Sequence, residues 1–154
     1  MNKPLLLFQA PIATRSGYGD HSRDILKSIF DLDTYDVKIV PTRWGNTPQD
    51  QIDPQTEFGQ FILQNIVTQL DKQPDIFIQV SVANEFKRFG KYNIGITAGV
   101  ETTIAPQEFI QGGNQMDLII TPSKFTKDVL VKTSYDQVDK NTKQKLGELK
   151  LEKP

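Results

Sequence analysis

The chain has 154 residues, a formal net charge of -1 and no cysteine. That length is one domain's worth and can bury a working core, but it is modest for an enzyme whose substrate sits between two domains. Near-neutral charge speaks against nucleic acid as a partner, because a surface that tracks phosphates needs a basic excess, and the lack of cysteine excludes disulfides and thiolate metal sites.

Redox compartment therefore stays open, with the cytoplasm the simplest expectation. No apolar run approaches the roughly 20 residues of a transmembrane helix. The first such run, Leu5 to Phe8, is also shorter than the roughly 7–15 residues of a signal-peptide core.

In chain order, the first predicted strand spans about Pro4 to Gln9. After it comes Arg15-Ser16-Gly17-Tyr18-Gly19-Asp20-His21, which leads into a helix predicted from about Asp20 to Phe30, with Ile25, Leu26, Ile29 and Phe30 at helical spacing. A second strand follows at Tyr35 to Val40, where apolar and polar residues alternate. The loop Pro41 to Gln55 holds Trp44, Gly45, Pro48 and Pro54; loops this long without regular structure are often functional. A second helix is predicted over Glu57 to Leu70, with Phe58, Phe61, Ile62, Ile66 and Leu70 as its apolar stripe.

Strands three, four and five are expected at Asp75 to Val80, Tyr92 to Ala98 and Leu118 to Thr121. A short helix from Pro106 to Gly112-Gly113 lies between the last two; proline suits its first position and glycine its end. Ser123 caps a final helix through about Lys132, with Phe125, Val129 and Leu130 inward. From Thr133 the composition turns polar, which predicts a solvated helix or linker; Leu149-Lys150-Leu151 can begin one more strand.

Strands alternating with helices predict an α/β fold with a mostly parallel sheet covered by helices on both faces. Ligands of such sheets bind outside the carboxyl ends of the strands. Those ends are Gln9 to Gly19, Pro41 to Trp44, Ser81 to Glu85, Gly99 to Thr103 and Pro122-Ser123.

The glycine loop carries the sharpest signal. Two glycines between strand and helix permit close approach to a ligand, and the helix N-terminus offers N–H groups and a positive dipole end to an anion. The dinucleotide fingerprint G-x-G-x-x-G is not met: Ser22 stands at the third position, the loop is too long, and Thr42-Arg43-Trp44 replace the acidic residue expected after the second strand. An ordinary glycine loop is the bland alternative.

His21, the single histidine, can donate to a phosphate or sugar hydroxyl, or it is a solvated first-turn residue. Arg15 and Arg23 can pair with a diphosphate, although Arg23 also fits a surface helix position. Glu101 can accept sugar hydroxyls or act as a base, or it caps the next helix. Trp44 can stack on a sugar or aglycone, or anchor its loop. Lys87, Arg88 and Lys91 read as a solvated patch. A metal site is not expected.

Three stretches, SGYGDHSRDIL, YNIGITAGVETTIAPQEFIQ and MDLIITPSKFTKDVL, in this order and spacing, resemble the N-terminal domain of GT-B glycosyltransferases of the group 1 type, including phage and bacterial members. The resemblance covers about Pro4 to Lys132 and implies a Rossmann-like domain over residues 1–132, with 133–154 a polar tail or the start of the interdomain crossover. It implies an enzyme that moves a sugar from a nucleotide diphospho-sugar to an acceptor, with no cofactor. By similarity, Gly17, Tyr18 and Gly19 contact the donor phosphates and the loop Gly99 to Thr102 faces the sugar. From residue type and position alone, Arg15 joins the phosphate-binding set, His21 and Trp44 join Gly99 and Thr102 as acceptor- or sugar-binding candidates, and Glu101 is the candidate catalytic carboxylate.

Two departures qualify the resemblance. The histidine that many members carry after the fourth strand has no counterpart in Thr97 to Glu101. The family's C-terminal domain, with its nucleotide pocket and spaced pair of glutamates, is not among these residues, so a further domain or a partner chain is expected and the 154 residues alone should be inactive. The rival expectations are a stand-alone binding module for a phosphorylated or glycosylated ligand and, more weakly, part of a dinucleotide-dependent oxidoreductase.

Overall fold

In the computed structural model, which describes residues 3–152, short apolar runs and amphipathic stretches alternate as β1 (Leu5–Ala10), α1 (Gly17–Leu32), β2 (Asp36–Pro41), α2 (Glu57–Gln64), β3 (Ile76–Val80), β4 (Tyr92–Ile96), α3 (Gln107–Gly113), β5 (Leu118–Ile120), α4 (Lys124–Lys132), β6 (Ser134–Val138) and β7 (Lys145–Lys150). The fold is α/β and Rossmann-like: β2-β1-β3-β4-β5 form a parallel sheet flanked by helices. Contacts divide the chain into two units, residues 3–81 with 89–93 and residues 82–88 with 94–152.

In the first unit, β1 lies between two neighbours and is buried almost throughout, with both faces covered. Leu6 pairs with Val37 of β2 on one side and with Ile76 of β3 on the other. A strand enclosed on both sides reads as a continuous apolar run, and Leu5-Leu6-Leu7-Phe8 is one. Phe8, Leu6, Ile39, Leu26 and Ile62 are almost completely buried, each contributing roughly 1.5–3 kcal/mol against exposure. Helix α1 turns Leu26 inward, and its Phe30 meets Phe61 of α2 at 4.7 Å between ring centroids.

The second helix is shorter than its apolar stripe predicts. It ends at Gln64, where Asn65 bonds back to the Phe61 carbonyl through its side-chain amide. The β-branched run Ile66-Val67-Thr68 favours extended backbone over helix. Ile66 forms a parallel bridge to Ile39, whose N–H and C=O bond to Asn65 and Val67. Counting this bridge, the first unit runs 65–67, β2, β1, β3, and the strand order reverses between β1 and β3, the switch point of a doubly wound sheet.

In the second unit, Ala105, Ile110, Val129 and Leu130 form a buried cluster against which Tyr135, Leu149 and Leu151 pack. Tyr135 and Leu149 pair directly across an antiparallel β6–β7 hairpin. The polar stretch after Thr133 is thus a hairpin rather than a solvated helix or linker; Tyr135, Leu149 and Leu151 pack inward, while Val138 and Leu146 are exposed. The last two residues of the predicted tail lie outside the described residues. Ser123 caps α4 by accepting from Thr126 N–H, with Thr126, Val129 and Leu130 buried. Phe125, expected inward, is 51% exposed; Thr126 occupies the inward position because it packs against Gly99.

Asp75 ties the start of the first unit together, accepting from Leu5 N–H at 2.9 Å and Lys91 Nζ at 2.7 Å. The Lys91 bond first, then the Leu5 N–H, hold its carboxyl below the ordinary aspartate value. A depressed folded value means a contribution complete above the ordinary value and lost as pH falls through it toward the folded one. The difference in urea midpoint between the natural chain and Asp75→Asn should narrow as pH falls from neutral to about 2. A pH-independent difference would count against this role.

Candidate functional site

The connection leaving β1 is a built structure. Ile12 N–H bonds to the Ala10 carbonyl and Thr14 N–H to that of Pro11, while the Thr14 hydroxyl donates to Pro11 C=O at 2.8 Å. Ser16 is extended and caps α1 by accepting from Gly19 N–H at 3.0 Å. The helix therefore begins at Gly17, not near Asp20, because Ser16 supplies the cap that sequence reading did not assign to it. Gly17, Tyr18 and Gly19 form the first turn.

The two glycines do different things. A Cβ on Gly19 would lie 2.2 Å from the Thr14 carbonyl oxygen, so this residue is buried backbone pressed against the connection. A Cβ on Gly17 would meet nothing within 4 Å, and Gly17 is exposed. Ser22 is fully buried and its hydroxyl donates to Tyr18 C=O at 2.6 Å. A small side chain there meets the same close helix–strand packing that the third glycine of a dinucleotide turn provides.

Arg23 is not a free surface cation. Its Nη1 donates to the carbonyls of Ile12 at 2.9 Å and Thr14 at 3.0 Å, and its Nη2 donates to Asp20. Arg15 faces outward and pairs with Asp50 at 2.6 Å. Asp50 is held below the ordinary aspartate value first by the Gln51 amide and, among the other favourable contacts, by the Arg15 charge.

The loop carrying Trp44 and Asp50 lies against this connection. Arg15 N–H bonds to Pro48 C=O and Gln51 N–H to Ala13 C=O. Trp44 stacks on Tyr18 with centroids 4.1 Å apart and planes 25° from parallel, each ring half-buried. His21 is exposed one turn beyond Gly17 on the same side of α1. Arg15, Gly17, Tyr18, His21 and Trp44 thus gather around the start of α1, with Gly19 beneath them. The helix end and the Arg15 guanidinium contribute positive potential here, and Asp50 on that guanidinium and Asp20 in the first turn offset it; an aromatic pair borders the place.

Gly99, Glu101 and Thr102 belong to the second unit, in the loop after β4. Gly99 has a φ of +86°, and a Cβ there would lie 1.9 Å from Thr126 Cγ2, so both backbone conformation and contact require glycine. The Thr102 hydroxyl donates to Ile104 C=O at 2.8 Å. Glu101 is exposed. The loop is fixed at Ala105, whose N–H donates to the Thr133 hydroxyl at 3.0 Å and whose carbonyl accepts from Tyr135 Oη at 2.6 Å.

Sequence reading missed Thr14, Ser16 and Asp50, and neither of its alternatives for Arg23, pairing with a diphosphate or a surface helix position, anticipates the bonds to Ile12 and Thr14. Ser16 was legible as an N-cap, since it precedes the helix and its side chain is of the capping type. The Arg15–Asp50 pair joins residues 35 positions apart and carries no local pattern. Among the described residues no helix is long and apolar enough to cross a membrane, and no group of three or more His, Cys, Asp or Glu could hold a metal ion. The chain matches no family model, no curated protein and no solved structure.

Gly19→Ala should cost roughly 1–3 kcal/mol through overpacking against Thr14, while Gly17→Ala should stay within about 0.5 kcal/mol of the natural chain. Chemical unfolding of both variants checks this; equal costs would remove the distinction. Trp44 is the single tryptophan. Tyr18→Ala should therefore change the emission of the folded protein by uncovering one indole face, with little change in far-ultraviolet circular dichroism.

Proposed function

We propose that this chain is the acceptor-side domain of a glycosyltransferase of the GT-B type, which moves a sugar from a nucleotide diphospho-sugar to an acceptor hydroxyl. The observation that carries this proposal is the start of α1, opening on exposed Gly17 after the carboxyl end of β1, with exposed Arg15 next to it. In the transfer, the bond between the anomeric carbon and the diphosphate oxygen breaks. The acceptor oxygen bonds to that carbon and gives up its proton, and the departing nucleoside diphosphate gains negative charge.

A helix N-terminus and a guanidinium are groups that stabilise such charge. The Arg15–Asp50 pair is exposed and weakly held, so an arriving diphosphate can take Asp50's place on Arg15. The Tyr18–Trp44 stack supplies a flat wall for a sugar or acceptor, with His21 as a donor nearby. In the second unit, taken by itself, exposed Glu101 is a carboxylate able to accept a hydroxyl hydrogen bond or a proton. The nucleotide pocket belongs, by the same resemblance, to a second domain, so the 154 residues alone should give negligible sugar transfer.

Titration with uridine diphosphate and with inorganic diphosphate, followed by Trp44 fluorescence and calorimetry, tests the proposal. Arg15→Ala should weaken binding about tenfold, and Asp50→Ala should strengthen it by removing the competing carboxylate. Opposite signs are the signature of exchange; a purely structural pair would move both variants the same way. Absence of binding to either compound would overturn the phosphate role, and robust transfer by the 154 residues would overturn the need for a second domain. Diphosphate binding without transfer, even with a donor domain supplied, would favour the binding-module alternative.

A further inference from the structure

In the first unit, the chain between the bridge at Ile66 and β3 has to pass over the sheet. Residues 65–67 lie outside β2, while β3 lies on the far side of β1. Parallel strands are usually joined by a helix, but residues 68–75 contain none. They cross β2 and β1 as irregular chain, which fills less space over a sheet than a helix does. A pocket of about 120 Å³ is left between this segment and the sheet. Leu7 and Gln9 of β1 and Val40 of β2 line it; Leu7 and Gln9 share one face of the sheet, and Gln9 pairs in register with Val40. Val67, Leu70 and Phe89 complete the apolar lining. The backbone of Phe89 is fixed, its N–H donating to Asn93 Oδ1 at 2.9 Å and its carbonyl accepting from Gln73 Nε2 at 3.1 Å.

We propose that this pocket binds a neutral six-membered ring whose edge carries an N–H beside a C=O, as in a pyridone. Three observations select it. An apolar cavity of about 150 Å³ holds one benzene, so the volume suits a single ring and excludes a chain of them. No charged side chain lines the pocket, so an ionised ligand would lose its hydration without a counter-charge. Gln9 is only partly exposed, and among the described residues its side-chain amide has no hydrogen-bond partner. That amide holds donor and acceptor side by side and matches the N–H and C=O of a cyclic amide with two parallel bonds. A sugar would instead press most of its hydroxyls against Leu7, Val40, Val67 and Leu70, at the cost of their hydrogen bonds to water. The pocket shares no residue with the start of α1, so this proposal stands or falls apart from diphosphate binding.

Nuclear magnetic resonance titration of the full chain with 2-pyridone, benzene, sodium benzoate and glucose tests it. Millimolar 2-pyridone should shift the methyl resonances of Leu7, Val40, Val67 and Leu70 and the side-chain amide of Gln9. The variant Gln9→Leu keeps the volume and removes the amide. It should weaken 2-pyridone binding about tenfold, the loss expected of two neutral hydrogen bonds, and leave benzene binding no weaker. An unchanged unfolding midpoint will show that the variant folds. Val40→Phe, which fills the pocket, should abolish binding of both rings. The proposal is overturned if 2-pyridone does not bind or its shifts map elsewhere, if Gln9→Leu binds it equally well or loses benzene to the same extent, or if benzoate or glucose occupies the pocket as tightly.

Discussion

The connection from β1 to α1 depends on one close approach, the backbone of Gly19 against the carbonyl of Thr14. With the first turn of α1 pressed that near, Ser16 can cap the helix, Thr14 can bond to Ser16, and Arg23 can reach back to the carbonyls of Ile12 and Thr14. Each of these contacts satisfies a polar group that would otherwise be left without a partner as the connection folds down. The result is a rigid connection where a loop of this length would ordinarily be loose.

That rigidity separates the tasks of the two arginines. Arg23, 16% exposed at its side chain, holds the shape, while Arg15, 63% exposed, remains available at the surface with an exchangeable partner. The glycines divide in the same way, one for packing and one for open space. Under the proposed function, a diphosphate would bind there without rebuilding the backbone, which lowers the cost of binding.

The fold was legible where periodicity and punctuation agreed. The apolar run at Leu5-Phe8, the alternation at Val37 and Ile39, and Ser123 before its helix each appear close to where the sequence puts them. Misreadings arose where a pattern had two physical meanings. Ile66 and Leu70 continue a helical stripe in spacing, but the β-branched run around Ile66 and a waiting edge at Ile39 favour a bridge. Tyr135 and Leu149 look isolated in a polar stretch because strand pairing, not local spacing, brings them together. Around the start of α1 the fold gathers Arg15, Gly17, Tyr18, His21 and Trp44, but partners such as Asp50 and Pro48 are set by tertiary contact and leave no local pattern in the sequence.

The bridge at Ile39 also governs how this sheet meets other chains. An outer strand normally offers a row of N–H and C=O groups on which a foreign strand can add, the first step of edge-to-edge aggregation. Along β2 the outward groups alternate with Ile39, so they belong to residues 37, 39 and 41. Those of Ile39 are taken by Asn65 and Val67, and Pro41 has no N–H to give. A strand arriving from another molecule finds this border already interrupted, so a single residue pair and one proline blunt it against self-assembly.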